Sequence, residues 1–477
     1  MKQLLSLFSS TYPETVVYML QNTEYQPKAY LHWYWRASDF TKVMYRRRLD
    51  KTKPARLLLL ALTLGMITQL VAGIALIIAT FGNVNWWTFL GWVLILTYPI
   101  VWGHLIVVPL MLGRIFVVDP KNRALIKESR KIFANHSGVK IAVAGSYGKT
   151  SMKELLNTVL SEGKVVAVTP ANKNVSSSHA RFANKLKGNE DILVIEYGEG
   201  APGDVKRFAA VTKPTLGVIT GLAPAHLDRY PSLSAVGKDI FSLADAVGAD
   251  STYVNVESEA VEKFMKTGFH GYSSHETMGW KIQNIKVGFN GTSFVMSKGK
   301  DKLKLKSGLL GRHQVGPLAF VAALGMKLGL TKQQVEAGIA KTQAFEHRMQ
   351  PRALHGAWIL DDTYNGNIDG MVAGLKLLEE LPGTRKIYVT PGLVDQGEET
   401  ERVHNRLGTE IAKTNPDKVI LMKNSTTAAI QSGLEKAKYK GDLQIEQHPL
   451  EFYTNIEHFI AAGDVILMQN DWPDNYN

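Results

Sequence analysis

Nine consecutive residues offer the clearest chemistry in this chain: Val143-Ala144-Gly145-Ser146-Tyr147-Gly148-Lys149-Thr150-Ser151. An apolar run, residues 141–144, enters a glycine turn, and a helix-compatible stretch, residues 152–160, leaves it. Gly145 and Gly148 let the backbone approach a ligand. Ser146, Tyr147, Thr150 and Ser151 supply N–H groups at a helix N-terminus, Lys149 reaches terminal phosphates, and the Thr150 hydroxyl suits Mg²⁺. The turn is shorter than the common Gly-x-x-x-x-Gly-Lys-Ser/Thr form, and a Gly-x-x-Gly-Lys-Thr also arises in plain surface turns. The strand before it and the helix after it favour a phosphate cradle.

The elements ahead of the cradle are of another kind. Residues 57–81 and 86–112 contain no charged side chain and are separated by Gly82-Asn83-Val84-Asn85. Each is long enough to cross a hydrocarbon layer of about 30 Å as a helix. The alternative, two central helices of a water-soluble domain, needs nearly all of both surfaces covered by protein. Trp86, Trp87 and Trp92 at one end suit a membrane interface. Lys42, Arg46, Arg47, Arg48, Lys51, Lys53 and Arg56 precede the first stretch, and Arg114, Lys121, Arg123, Lys127, Arg130 and Lys131 follow the second. Basic flanks on both sides predict a two-pass hairpin in the plasma (inner) membrane with both termini cytoplasmic.

The formal charge is +12, but residues 1–140 carry 17 Lys and Arg against 6 Asp and Glu, and the remainder 38 against 37. The basicity is therefore a membrane-lipid signal and not a nucleic-acid footprint. Residues 1–11 lack the apolar core of a cleaved signal. The chain has no cysteine, which excludes disulfides and thiolate metal sites and fits a reducing compartment. Residues 1–50, rich in Tyr and Trp with scattered charges, read as an interfacial segment beside the membrane.

Beyond residue 139, β-rich runs (165–169, 192–195, 216–220, 252–255) alternate with helical ones (152–161, 178–186, 233–246), which predicts an α/β domain with a largely parallel sheet. Residues 279–306 alternate polar and apolar and suggest an edge hairpin, followed by a helical pair at 315–327 and 332–341. Runs at 357–360, 386–390, 418–421 and 465–467, separated by helical stretches at 371–381, 401–414 and 427–437, read as a smaller, doubly wound, Rossmann-like domain.

Six motifs occur in the order seen in the Mur ligases, which these residues resemble. They are the cradle, Thr169-Pro170-Ala171-Asn172-Lys173-Asn174, Val194-Ile195-Glu196-Tyr197-Gly198, Ala223-Pro224-Ala225-His226-Leu227-Asp228, His347-Arg348-Met349 and Asp361-Asp362-Thr363-Tyr364-Asn365-Gly366-Asn367. The resemblance covers residues 139–468 and is nearest the branch that adds D-alanyl-D-alanine to a cell-wall precursor. It divides the chain into an interfacial segment (1–56), a transmembrane hairpin (57–112), a cytoplasmic linker (113–138), an ATP-binding P-loop central domain (139–345) and a C-terminal domain (346–477).

What the resemblance implies is ATP-dependent amide-bond formation. A carboxylate takes the γ-phosphoryl group of ATP to give an acyl phosphate and ADP, and an amine displaces phosphate. Mg²⁺, Lys149 and backbone N–H groups offset the crowding of anions. By the same resemblance Gly145 to Ser151 contact phosphate, Thr150, Glu196 and His226 hold metal, and Lys149, Glu196, His226 and Arg348 are the catalytic set. His313 and Gln314 contact the base, although Pro317 replaces an expected asparagine. Arg348, Asp362, Tyr364 and Asn365 reach the nucleotide from the C-terminal domain, and Asn172, Asn174 and Asn367 line the substrate. Ordinary turn asparagines remain an alternative for the last three. The expected substrate is a UDP-MurNAc-tripeptide-like peptide with an amino acid or dipeptide as the amine.

Three departures from the family pattern stand out. The soluble nucleotide-sugar-binding domain is replaced by the apolar hairpin, and a basic run after residue 468 is replaced by Gln469-Asn470-Asp471-Trp472. Most members also carry a carbamylated lysine four residues before an aromatic; here Lys238 stands three before Phe241, and Gly237 takes the register position. The expectation is a ligase without a carbamate, with Asp239 or Asp228 supplying negative charge. Two other readings remain open: a membrane-bound poly-γ-glutamate synthase-like ligase, and a non-catalytic nucleotide-binding scaffold of the cell-wall machinery.

Overall fold

A helix of 27 residues, Lys53–Ala79, forms from the first apolar stretch. Its start is set by Pro54 in the first turn and by the Thr52 hydroxyl, which accepts the Ala55 N–H at 3.3 Å. Asn85 begins the second, Trp86–Leu105, with a reciprocal cap: its side chain accepts the Trp87 and Thr88 N–H groups, and the Thr88 hydroxyl accepts its own N–H. The computed structural model describes residues 2–23, 25–37, 39–41, 49–170, 174–223, 230–364, 366–393 and 396–470. It divides into two units, Met1–Ala124 and Leu125–Asn477.

In the first unit the two apolar helices cross where Gly73 meets Gly91; a Cβ on either would lie 2.9 Å from the other's carbonyl oxygen. Gln69 Nε2 donates to the Leu94 carbonyl at 3.1 Å across the same seam. Leu57, Leu64, Ile78, Trp86 and Trp92 on the outer faces are exposed, and both helices are long and apolar enough to cross a membrane. The segment expected at the interface forms the helices Lys2–Ser6, Tyr12–Asn22 and Pro27–Arg36, with Tyr12, Tyr30 and Tyr34 buried. The Tyr12 hydroxyl donates to the Pro99 carbonyl at 2.8 Å and the Tyr30 hydroxyl to Gly103 at 2.7 Å. Tyr12 and Tyr30 can be core because their polar tips find backbone carbonyls.

The second unit holds two sheets. The first contains β1 (Val139–Ala144), β2 (Val166–Val168), β3 (Ile192–Glu196), β4 (Leu216–Ile219), β5 (Thr252–Asn255), β6 (His270–Tyr272), β7 (Glu276–Thr277), β8 (Trp280–Gly288), β9 (Gly291–Lys298) and β10 (Asp301–Ser307), in the order β10-β9-β8-β7-β6-β5-β4-β1-β3-β2. From β2 to β6 neighbours run parallel, and β7 to β10 extend the edge antiparallel. The expected edge hairpin is thus a three-stranded meander, because Gly299 supplies a second turn at positive φ. The helix expected over 233–246 breaks at Ser242 into Leu233–Phe241 and Leu243–Val247. The expected linker is largely helix, Asp119–Asn135, and its Phe133 is buried in the central domain's core.

The second sheet has β11 (Gln350–Leu354), β12 (Ala357–Asp362), β13 (Arg385–Thr390), β14 (Lys418–Met422), β15 (Asp442–Glu446) and β16 (Asp464–Gln469), in the order β11-β12-β16-β13-β14-β15. All pairings are parallel except β11 with β12. Its edge strands β11 and β15, half-exposed and polar, lacked the apolar run that marks the others.

Candidate active site

The cradle forms at the carboxyl end of β1. Gly145 (φ 147°) and Gly148 (φ 73°) adopt backbone conformations that L side chains rarely reach, and a Cβ on Gly145 would collide with Thr220 Oγ1. Gly148 caps the helix Lys149–Leu160. The turn is fastened to the end of β4: the Ser146 N–H donates to the Gly221 carbonyl at 2.9 Å, and the Thr220 hydroxyl meets the carbonyls of Ala144 and Tyr147. Ser146 Oγ is buried without a hydrogen-bond partner.

Two lysines one turn apart on that helix face two carboxylates at the end of β3. Lys149 Nζ lies 2.6 Å from the Gly145 carbonyl and 2.8 and 2.7 Å from the two oxygens of Glu199. Thr150 Oγ1 donates to Glu196 Oε1 at 3.1 Å, while Lys153 Nζ, fully buried, lies 3.2 Å from Glu196 Oε2 and 3.3 Å from Glu154. His179 Nε2 donates to the Glu196 carbonyl at 2.8 Å; burial holds this imidazole at about 4 and therefore neutral. Thr150 and Glu196 present two oxygen donors, and Glu196 Oε2 accepts no hydrogen bond, so these residues fit a hard divalent cation.

A cavity of about 490 Å³ opens from the cradle. It is lined by Tyr147, Gly148 and Ser151 of the cradle, by His313 and Gln314, and by Asp369, Lys376 and Arg406 from the C-terminal domain. Burial lowers His313 to about 4, and its Nε2 stands 2.9 Å from Gln314 Nε2, as fits an acceptor nitrogen facing an amide donor. Arg312 clamps the wall through a bidentate pair with Glu380, at 2.8 and 3.1 Å to Oε1. Three residues of the cradle and the His313–Gln314 pair thus line one cavity.

Other expected residues are placed differently. Arg348 stacks over the Tyr364 ring at 4.4 Å, and neither lines the cavity. Asp362 is engaged within the protein: one oxygen accepts the Met349 N–H at 3.1 Å, the other Gln469 Nε2 at 2.8 Å, and burial raises it to about 6. Asn367 caps the helix Ile368–Glu380, accepting the Gly370 N–H at 3.0 Å, so its side chain is structural. Asn174 lies at the site, its carbonyl accepting the Gly198 N–H at 2.9 Å. His226, Asp228, Asn172 and Asn365 lie outside the described residues. Asp239 is not a spare charge, since it accepts from the Tyr230 hydroxyl at 2.8 Å and the Gly203 N–H at 3.0 Å. Lys238 is exposed, on the rim of a separate cavity with Lys263 and Lys266. Sequence reasoning missed Lys153, Glu199, Lys376 and Arg406. The spacing of Lys153 four residues beyond Lys149, and of Glu199 three beyond Glu196, was the available signal.

Residues 143–325 match the family described as Mur ligase middle domain, and residues 347–470 match Mur ligase, glutamate ligase domain. The chain belongs to the Mur ligase family. Its class is that of the ADP-forming acid–amino-acid ligases. The UDP-N-acetylmuramoyl-tripeptide--D-alanyl-D-alanine ligase of Escherichia coli K12 is 29% identical over 306 residues, covering 62% of this chain and 67% of that protein. Such curated relatives are matched over about two thirds of their length or less, 60% for the Buchnera aphidicola enzyme and 64% for that of Synechocystis. Among solved structures, MurF ligase from Thermotoga maritima in complex with ADP superposes with a TM-score of 0.63 at 20% identity, over 73% of this chain and 80% of that one. MurF from Acinetobacter baumannii gives 0.64 at 18%, over 73% and 77%. These structures share the fold of this Mur ligase.

Proposed function

We propose that this Mur ligase is anchored in the plasma membrane by its apolar hairpin, with both termini cytoplasmic, and joins a carboxylate of a cell-wall precursor peptide to an amino acid or dipeptide through an acyl phosphate. The observation that carries the catalytic part is the glycine cradle itself, which bears Lys149 and the Thr150–Glu196 pair at its helix and lends Tyr147, Gly148 and Ser151 to a cavity also lined by His313 and Gln314. ATP fits that space with its phosphates on the cradle and its base toward His313. Mg²⁺ fits Thr150 and Glu196, where it would offset charge on the transferring phosphoryl group. Lys149 would bind the terminal phosphates, and the helix N-terminus would orient them. The curated relatives named above act on a UDP-N-acetylmuramoyl-tripeptide and D-alanyl-D-alanine, and that pair is the reading favoured for this chain.

The anchoring rests on two helices long and apolar enough to cross a membrane and on their exposed outer faces. Incubating the detergent-solubilised chain with ATP, Mg²⁺ and a panel of muropeptide precursors should give substrate-dependent ADP release and a product heavier by one amino acid or dipeptide. A ladder of masses would identify a polymerase, and no substrate-dependent ADP a scaffold. The cysteine-free sequence allows single-cysteine topology mapping. Asn83→Cys, in the turn between the helices, should label with an impermeant maleimide in intact cells, and Lys127→Cys should not.

A further inference from the structure

Glu199 belongs to none of the roles assigned so far, yet its carboxylate is buried, 3% exposed, and both oxygens lie within 2.8 Å of the Lys149 ammonium. The second rung of this charge ladder differs in one respect. Lys153 is wholly buried between Glu196 and Glu154 and cannot follow an incoming ligand, whereas Lys149 is partly exposed at the mouth of the cradle. Phosphate oxygens in the cradle therefore compete with Glu199 for Lys149 and leave the Lys153–Glu196 pair alone. A carboxylate released in this way cannot turn to water, and it would stand beside the phosphates as an unpaired buried anion. A cation must take the place of the ammonium.

We propose that Glu199 couples nucleotide and divalent-cation binding: it holds Lys149 until phosphate takes that ammonium, and the released carboxylate then joins Glu196 as a second carboxylate ligand for the metal. The inference rests on the nucleotide reading of the cradle. It follows that nucleotide without metal binds weakly, because the Lys149–Glu199 pair is broken with nothing to replace it. It also follows that metal without nucleotide binds weakly, because the ammonium already occupies Glu199. By linkage each ligand strengthens the other by the same factor, of a typical size of about five- to hundredfold.

The full chain in detergent is titrated with ADP and ATP, with Mg²⁺ or with EDTA. In the wild type Mg²⁺ should tighten binding at least about tenfold, within the usual range of coupling. In Glu199→Gln the metal-free affinity should rise, and the gain from Mg²⁺ should shrink below about threefold. Glu199→Asp keeps the charge and should keep the metal requirement. A second arm uses no nucleotide. Mn²⁺ binding followed by electron paramagnetic resonance should tighten at least about fivefold in Lys149→Met, which frees Glu199, and return to the wild-type value in Lys149→Met/Glu199→Gln. Equal Mg²⁺ gains in wild type and Glu199→Gln, or Mn²⁺ affinity unchanged in Lys149→Met, would overturn the proposal. A wild-type chain that binds no nucleotide under either condition refutes instead the reading of the cradle, and the Mn²⁺ arm still judges Glu199.

Discussion

Ile141, Val143 and Val194 in the ligase unit are fully buried, whereas Leu57, Leu64 and Ile78 in the helical unit keep 67%, 54% and 68% of their surface exposed. The polar groups follow the opposite rule. In the helical unit the buried hydroxyls of Tyr12 and Tyr30 sit inside, bonded to helix carbonyls. In the ligase unit four charged groups, Lys149, Lys153, Glu196 and Glu199, gather with little or no exposure at one end of one sheet. Apolar surface is placed according to the solvent it meets, so an apolar exterior with a hydrogen-bonded interior is the arrangement expected in lipid. A cluster of such charges beside a glycine turn is the kind of place where a ligand is met.

The largest expected effect separates chemistry from architecture. Lys149→Ala should lower ATP turnover by about 10²–10³-fold, the scale of losing one preorganised charge contact. Its thermal unfolding midpoint should be nearly unchanged, and full turnover would remove the phosphate role. Leu64→Arg tests the other unit. In a bilayer it should cost about 2.5–3.5 kcal/mol and lower the membrane-bound fraction, whereas on a water-exposed surface it would stay within about 0.5 kcal/mol.

A pH dependence belongs to the ligase unit. Burial holds His179 at about 4 against an ordinary 6.5, so as pH falls through that interval the unfolded chain takes up a proton that the folded one refuses. The stability is present above pH 6.5 and is lost progressively toward pH 4, roughly 3 kcal/mol in all. His179→Phe, beside Tyr197 and Phe208, should flatten this part of the denaturant-midpoint profile between those values. Gly73→Val should overpack the helix crossing and destabilise the helical unit by about 1–3 kcal/mol in detergent. It should leave nucleotide affinity untouched, and a loss of affinity would show that the two regions are not independent. The smallest effect expected is that of Asn367→Ala, about 1 kcal/mol from a lost helix cap, with nucleotide affinity unchanged.

Much of this was legible in local pattern. The cradle announced itself because its glycines must fall at fixed positions in a strand-turn-helix, and β5 and the helix Val315–Lys327 were found to the residue, the first from its β-prone Thr-Tyr-Val and the second from its long, largely apolar run. The edge strands β11 and β15 were not found, since a half-exposed edge carries little hydrophobic signal. Asp362 and Asn367 looked like ligand contacts because capping and ligation call for the same residue types. Only their partners, Gln469, Met349 and Gly370, distinguish the two uses.

By itself the sequence determined the apolar character of residues 57–112, the order of the family's motifs and the position of the cradle, because each depends on neighbours along the chain. The tertiary structure decided which charges meet. Glu199 and Lys149 are fifty residues apart and come together only because β1 and β3 are adjacent in the sheet. The cavity wall of Asp369, Lys376 and Arg406 exists only because a second sheet packs its helices against the first domain. Pairing across a fold depends on strand order and domain docking, which residue spacing in one chain does not encode.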